Sequence, residues 1–433
     1  MEVVLLIDGQ GATTFPVRPG IERGVLHATI EVAIDVAGEF QFEVWLVDKG
    51  GRKSNSLFGV FTVVLPDRYA DLDLDFGDDG VVVKLDPADD FSGTVAAIAI
   101  QDDGMIVVVS NDHPDIVVHR YHADGTLGED FGLNGEVRFE PDDLRAHRAS
   151  DVAIQPDGKI VIVGDGGASG LNPGNVLLIR LDEDGLLDPS FSGGFVRTGS
   201  GDSGEERGHV VKIQPDGKIV VAGERIEGRP DFKVFIARHE SDGSVDTAFG
   251  DEGIVLYEHD GADYHSVSDM VIQDDGRIVL AGRAWGASGI GWSNLVIIRM
   301  EADGTPDETF ADAAAFYYPI NRIESVSVAL QSDQRIVASG SKFPGSTSAA
   351  AFALRLETDG VLDTEFGDEG IYYGDDWFIT QRRTLASDLV ITEDDRIVLV
   401  GSLEDPLVIV LEPDGEPDLD FSRDGLSVID LEG

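Results

Sequence analysis

Short apolar runs separated by turn residues fill this chain and read as strands. Between Ser150 and Thr198 four such runs follow one another, DVAIQ, KIVIVG, VLLIRL and GGFVRT. PDG joins the first two, and DEDG follows the third on the way to the fourth. Asp-Gly between apolar runs predicts a tight hairpin, because glycine accepts the positive φ that such turns require. KIVIVG and VLLIRL are apolar at successive positions, so both faces of these strands are expected to be covered, as in the inner strands of stacked sheets.

The unit recurs. QDDGMIVVV begins at 101, QPDGKIVIVG at 155, QPDGKIVVAG at 214 and QDDGRIVLAG at 273, and worn copies follow as QSDQRIVASG at 331 and TEDDRIVLVG at 392. The downstream half recurs at Phe76, Phe131, Phe191, Phe249, Phe310, Phe366 and Phe421. Seven phenylalanines against six hairpins mean six full repeats and one leading half. Four antiparallel strands that cannot bury both faces alone specify a propeller blade. The fold class is therefore all-β, a propeller of four-stranded antiparallel blades over residues 72–430. The QxDGKIVVxG core and the LDxxFGxxG segment, seen in SVDTAFGDEG and VLDTEFGDEG, resemble the delta-60 repeat family of bacterial β-propellers. That resemblance implies a propeller in a secreted or surface protein and brings no agreed biochemical activity.

Residues 1–66 also alternate like strands. FEVWLVDKGGRKSNSLFGVFTV resembles the last strands of bacterial immunoglobulin-like modules, with Asp48, Gly51, Ser54 and Asn55 at the DxxGxxSN turn, which makes the segment a partial, sandwich-like module. PDRYAD, Pro66 to Asp71, is the linker on this reading. A rival reading aligns EVAIDVAGEF on DVAIQPDGKI and FTVVLPDRYADLDLDF on VLLIRLDEDGLLDPSF, which makes residues 29–85 a worn extra blade. Six blades is the expectation and seven the alternative. With six, residues 80–85 can complete the last blade as a clasp, and GLSVID at 425 is then surplus.

The balance of 82 acidic against 32 basic residues gives a net charge of −50, which repels nucleic acid and anionic membranes. No run approaches the roughly 18 apolar residues that span a bilayer. MEVVLLIDG has no basic n-region and is not a signal peptide, so an extracellular or cell-surface location rests on the family resemblance alone. Cysteine is absent, which removes disulfide frameworks and thiolate metal sites.

Candidate chemistry is sparse. Asp71, Asp73 and Asp75 alternate like the start of a calcium loop, but Phe76 stands where such a loop needs glycine, and Asp73 matches Asp188, Asp246, Asp307, Asp363 and Asp418, each three residues before a recurrent Phe. Calcium is the one cofactor considered, and none is assigned. Arg120, Arg180, Arg238, Arg299 and Arg355 recur at one position, with Val410 in the sixth copy; they read as scaffold, pairing with those aspartates. GDGGASG at 164 opens no helix, and His119 and His122 fall on opposite sides of a strand, so neither a dinucleotide site nor a histidine metal site is expected. No catalytic residue can be nominated.

In an up-and-down blade the Asp-Gly turns share one end of the ring, and the long irregular connections share the other. Trp285, Trp292 and Trp377 fall in those connections, as does Tyr264, and exposed aromatics on variable loops suggest binding. The expected function is non-enzymatic binding or surface display, with a glycan or protein partner, as a monomer or part of a larger extracellular assembly. The alternatives are a cation-dependent polysaccharide lyase or hydrolase in the central channel, and a cytoplasmic interaction scaffold.

Overall fold

The computed structural model describes residues 2–7, 13–16, 38–47, 57–63, 76–77, 82, 94–112, 115–139, 147–166, 174–201, 204–227, 232–258, 264–285, 293–320, 322–343, 349–374, 385–402, 406–422 and 425–428. Among the described residues every regular element is a strand. Two compact units divide the chain, Met1–Arg68 and Tyr69–Gly433.

In the first unit, Glu2–Ile7 lies between Thr13–Pro16 and Gly38–Val47, and Leu57–Val63 forms the far edge beside Gly38–Val47, all antiparallel. The turn at Asp48 to Asn55, the linker at Pro66 to Asp71 and the stretch 29–37 of the rival alignment lie outside the described residues.

The second unit is a six-bladed propeller of four-stranded antiparallel blades, each in simple sequence order. The first strands, Thr94–Ile100, His147–Ile154, Glu205–Ile213, Tyr264–Ile272, Ile323–Leu330 and Leu385–Ile391, neighbour one another and form the inner wall. The fourth strands are short and form the rim: Glu136–Phe139, Phe195–Thr198, Ile254–Tyr257, Ala315–Tyr318, Ile371–Tyr373 and Leu426–Val428. Leu426–Val428 pairs with Pro406–Leu411 and completes the sixth blade. That corrects the clasp expectation: the chain's own last strand is not surplus, because Leu407 to Ile409 already have partners at Leu426 to Val428.

Every first strand carries a β-bulge against the second. This explains the last glycine of QxDGKIVVxG. A Cβ on Gly164, Gly223, Gly282, Gly340 or Gly401 would overlap the carbonyl oxygen that the bulge pushes across, that of Arg148, Arg207, Ser266, Ser325 or Leu385.

Five apolar clusters fill the seams between successive blades, from one and two through to five and six. The prediction that second and third strands are covered on both faces holds in blades two to five, where Val161 and Ile162, or Val279 and Leu280, are alike buried. Among the described residues no cluster joins blade six to blade one.

Candidate functional site

The recurrent arginines are inter-blade latches. Arg299 holds Asp307 through Nε and Nη2, both 2.7 Å from Oδ2. Its Nη1 donates to Gln273 Oε1 at 3.4 Å and to the carbonyl of Thr358 in the turn of the next blade, and the guanidinium lies 4.4 Å over the Phe310 ring. Arg180 and Arg355 repeat the bond to the turn glutamine, at Gln155 and Gln331, and Arg120, Arg180, Arg238 and Arg355 each reach the next blade's turn, at Glu183, Ser241, Ala302 and Pro413. Blade one has Gly128 three residues before its Phe, so Arg120 pairs with Asp130 instead, at 3.2 Å. The Lys or Arg after the first turn of blades two to six adds a second cation: Lys159, Lys218, Arg277, Arg335 and Arg396 face Asp188, Asp246, Asp307, Asp363 and Asp418. Burial alone would raise Asp188, but hydrogen bonds from Ser190 and the charges of Arg180 and Lys159 hold it down at about 2.

The opposite end carries the long connections. Tyr264 and Trp285 sit on strand ends, not in loops as their sequence setting suggests. Tyr264 opens the first strand of blade four, Trp285 closes the second, and the register sets them opposite one another. Phe232, at the start of the third strand of blade three, bridges to Tyr264 in parallel register. Three aromatic positions thus meet, at the level of the backbone, on the seam of blades three and four. Trp292 and Trp377 lie outside the described residues.

On the inner wall the copies differ, and sequence reading missed this. The bulged residue is Ala96, Ser150, Ser268, Ser325 or Ser387 in five blades, but His209 in blade three. His209 Nδ1 is 2.7 Å from the carbonyl oxygen of Val267 in blade four, to which it donates, and Nε2 is 4.0 Å from Glu224 Oε1. Arg207 stands beside the pair, 3.7 Å from Glu224 and 2.8 Å from Glu205. Held through Nδ1–H, the ring turns its Nε2 toward Glu224. Aligning the six copies against each other would have exposed His209, and likewise Lys212, where the other copies have Ala99, Ala153, Val271, Ala329 and Val390.

Blades two, four and six carry Asp151, Asp269 and Asp388 just after the bulge. Asp151 accepts from Val152 N at 2.8 Å and from Val211 N of the next blade at 2.9 Å. Asp269 accepts from Met270 N at 2.7 Å and from Val328 N at 2.8 Å. Desolvation pushes Asp151 up to about 6, against the opposing charge of Lys212 and its backbone hydrogen bonds; Asp269 is raised for the same first reason. A carboxyl raised in the folded state binds its proton more tightly there than in the unfolded chain, so its contribution falls as pH rises from the ordinary carboxylate range through 6. Replacing Asp151 by Asn should therefore make the stability of the variant, relative to the parent, climb between pH 4 and 6 by about 1–2 kcal/mol. Urea unfolding across that range checks this, and a flat difference contradicts it.

Among the described residues no group of three or more His, Asp or Glu side chains could hold a metal ion. Asp71, Asp73 and Asp75 of the calcium-like stretch lie outside them.

Four repeats match one family model. It is described as a domain of unknown function (DUF5122) beta-propeller, and the matches cover residues 155–191, 214–249, 273–310 and 331–366. Each match runs from the Gln before the first turn to the corner Phe. No curated protein matches the sequence. Among solved structures, a PL25 ulvan lyase bound to a saccharide of GlcA and Rha3S is 12% identical, covers 74% of this chain and 80% of its own, and has a TM-score of 0.46. An α-L-arabinofuranosidase from Fusarium graminearum, in complex with an iminosugar inhibitor, is 11% identical over 73% of this chain and 93% of its own, with a TM-score of 0.44. An endo-arabinase from Bacteroides thetaiotaomicron is 12% identical over 66% and 94%, with a TM-score of 0.34.

Proposed function

We propose that this propeller is an extracellular glycan-binding protein that presents the loop-rich end of blades three and four. The observation that carries this reading is the convergence of Phe232, Tyr264 and Trp285 on neighbouring strand ends at that end of the seam. A saccharide offers flat patches of C–H bonds between hydroxyls, and aromatic rings supply a rigid apolar platform with little ordering cost. The net charge of −50 favours a neutral glycan over an anionic one. Screening the full chain on a neutral and acidic glycan array, followed by calorimetry on the best ligand, tests the reading. Trp285→Ala should weaken that ligand by about 2 kcal/mol, roughly 30-fold, without lowering the melting temperature. Retained affinity, or lost stability with no change in binding, would overturn it.

A second reading is favoured by His209, whose Nε2 faces Glu224 Oε1 at 4.0 Å on the inner wall. On that reading a bound glycan is also cleaved, with His209 moving a proton. Assaying the bound glycan for new chain ends separates the two, because binding alone produces none.

A further inference from the structure

The residue just after the bulge on the first strand is Asp151, Val210, Asp269, Ser327 or Asp388 in blades two to six. In blades four, five and six these residues touch. Ser327, 4% exposed, has its Oγ 2.9 Å from Asp269 Oδ2 of blade four and 2.6 Å from Asp388 Oδ1 of blade six. A serine hydroxyl carries one hydrogen and donates to one carboxylate at a time. For both contacts to be hydrogen bonds, the second hydrogen has to sit on one of the two carboxyls.

The two distances assign it. Hydroxyl bonds to an ionised oxygen are short, about 2.5–2.7 Å. The 2.6 Å contact is therefore Ser327 donating to an ionised Asp388, which is exposed. The 2.9 Å contact is Asp269, its side chain 19% exposed, donating as a neutral acid to Ser327 Oγ. Burial favours the same assignment, since it raises Asp269 above the ordinary carboxylate range, and the charge of Asp151 on the same wall acts in that direction. Three groups oppose it: Met270 N and Val328 N donate to the Asp269 carboxyl at 2.7 and 2.8 Å, and Lys212 Nζ stands 3.8 Å from its Oδ1.

Ser339 shows independently that the seam of blades five and six is poised to open. It lies across the strand pair from Ser327, on the same face, where the other blades have Val109, Val163, Ala222, Ala281 and Val400. Ser339 is 1% exposed, and among the described residues its Oγ has no hydrogen-bond partner. The closed seam thus carries an unsatisfied hydroxyl that water satisfies once the blades part.

We propose that Asp269, Ser327 and Asp388 form a pH-sensitive joint on the inner wall, in which one proton ties blades four, five and six together. With Asp269 protonated, Asp269 donates to Ser327 and Ser327 to Asp388, so both seams are tied. When Asp269 ionises, its proton passes to solvent and one hydroxyl hydrogen is left between two carboxylates. Ser327 turns to Asp269, Asp388 is released, and the seam of blades five and six loosens. A carboxyl kept protonated by the fold contributes below its transition and loses that contribution as pH rises.

The chain has no cysteine, so a single thiol reports on the seam. Ala353, fully buried and paired across the strands with Ser339, is the reporter position. Ala353→Cys is placed in the full chain together with Asp151→Asn, which removes the titration of Asp151. Its maleimide labelling is read as a ratio to an exposed-turn control, Asp102→Cys, from about pH 5 to 8. The ratio should rise about 10-fold over that range, as for one hydrogen bond lost from a seam reached by local opening. Adding Asp388→Asn should keep the ratio low at every pH, because its amide donates to Ser327 while Ser327 donates to ionised Asp269. Adding Ser327→Ala should make it high at every pH. A ratio that stays flat before either addition overturns the proposal, and so does a pH response that survives Ser327→Ala or Asp388→Asn.

Discussion

Arg299→Ala should cost about 3–5 kcal/mol in urea unfolding, more than any single apolar truncation on the rim, because it strands a buried carboxylate. Asp307 is 1% exposed and receives two bonds from Arg299 at 2.7 Å. The same guanidinium also satisfies Gln273 Oε1 and the Thr358 carbonyl of blade five, so its loss opens the four-to-five seam as well as the corner. Arg277, 3.5 Å from Asp307, compensates only in part, since it also serves Asp275 and Glu301. Arg299→Lys should recover little, because one ammonium cannot meet Asp307, Gln273 and Thr358 together or lie flat on Phe310. The discriminating measurement is the double variant with Asp307→Asn. Its cost should fall well below the sum of the two single costs, as for partners in one network, whereas additive costs would mean the pair is not a unit.

The scaffold was legible because its chemistry is repeated. Gln, Asp-Gly, Lys or Arg, the buried Arg, the corner Asp and the corner Phe each recur at near-fixed offsets, and in blades two, four and five the structure joins the Gln, both cations, the Asp and the Phe in one latch. The expected pairing of the buried Arg with the corner Asp is what Arg180, Arg238, Arg299 and Arg355 make with Asp188, Asp246, Asp307 and Asp363. Strand order in the last blade was less legible, because GLSVID is only a short run and either it or residues 80–85 could have paired with Pro406–Leu411. The candidate site was legible least. Periodicity marks a residue that is repeated, and a binding or proton-transfer group on a repeat scaffold is one that occurs once. His209 and Lys212 stand out only when the copies are compared position by position. Tyr264 and Trp285 come together through a register between strands, and Phe232 through a bridge between blades, neither of which spacing along one strand reveals.

The corner phenylalanines make the second large effect. Phe249 is fully buried at the seam of blades three and four, under the Arg238 guanidinium at 4.6 Å and against the turn of blade four. Gly250 N, beside it, donates to Asp303 O at 2.8 Å, so the corner and the turn are held at a fixed distance that cannot shrink to fill a void. Phe249→Ala should therefore cost about 3–5 kcal/mol, the range for a large aromatic lost from a rigid site. Gly304 gives an internal check. Its φ of +89° disfavours any side chain, and a Cβ there would also come within 2.8 Å of the Phe249 ring and 2.9 Å of Val255. Gly304→Ala should cost about 2–3 kcal/mol in the parent chain, the sum of backbone strain and overlap. In the Phe249→Ala background the ring is gone and the new methyl partly fills the space it left, so the added cost should fall to about 1–2 kcal/mol, the strain together with the remaining overlap with Val255. Equal costs in the two backgrounds would show that the Phe249 ring takes no part in excluding a side chain at 304, and that the corner and the turn do not pack as one piece.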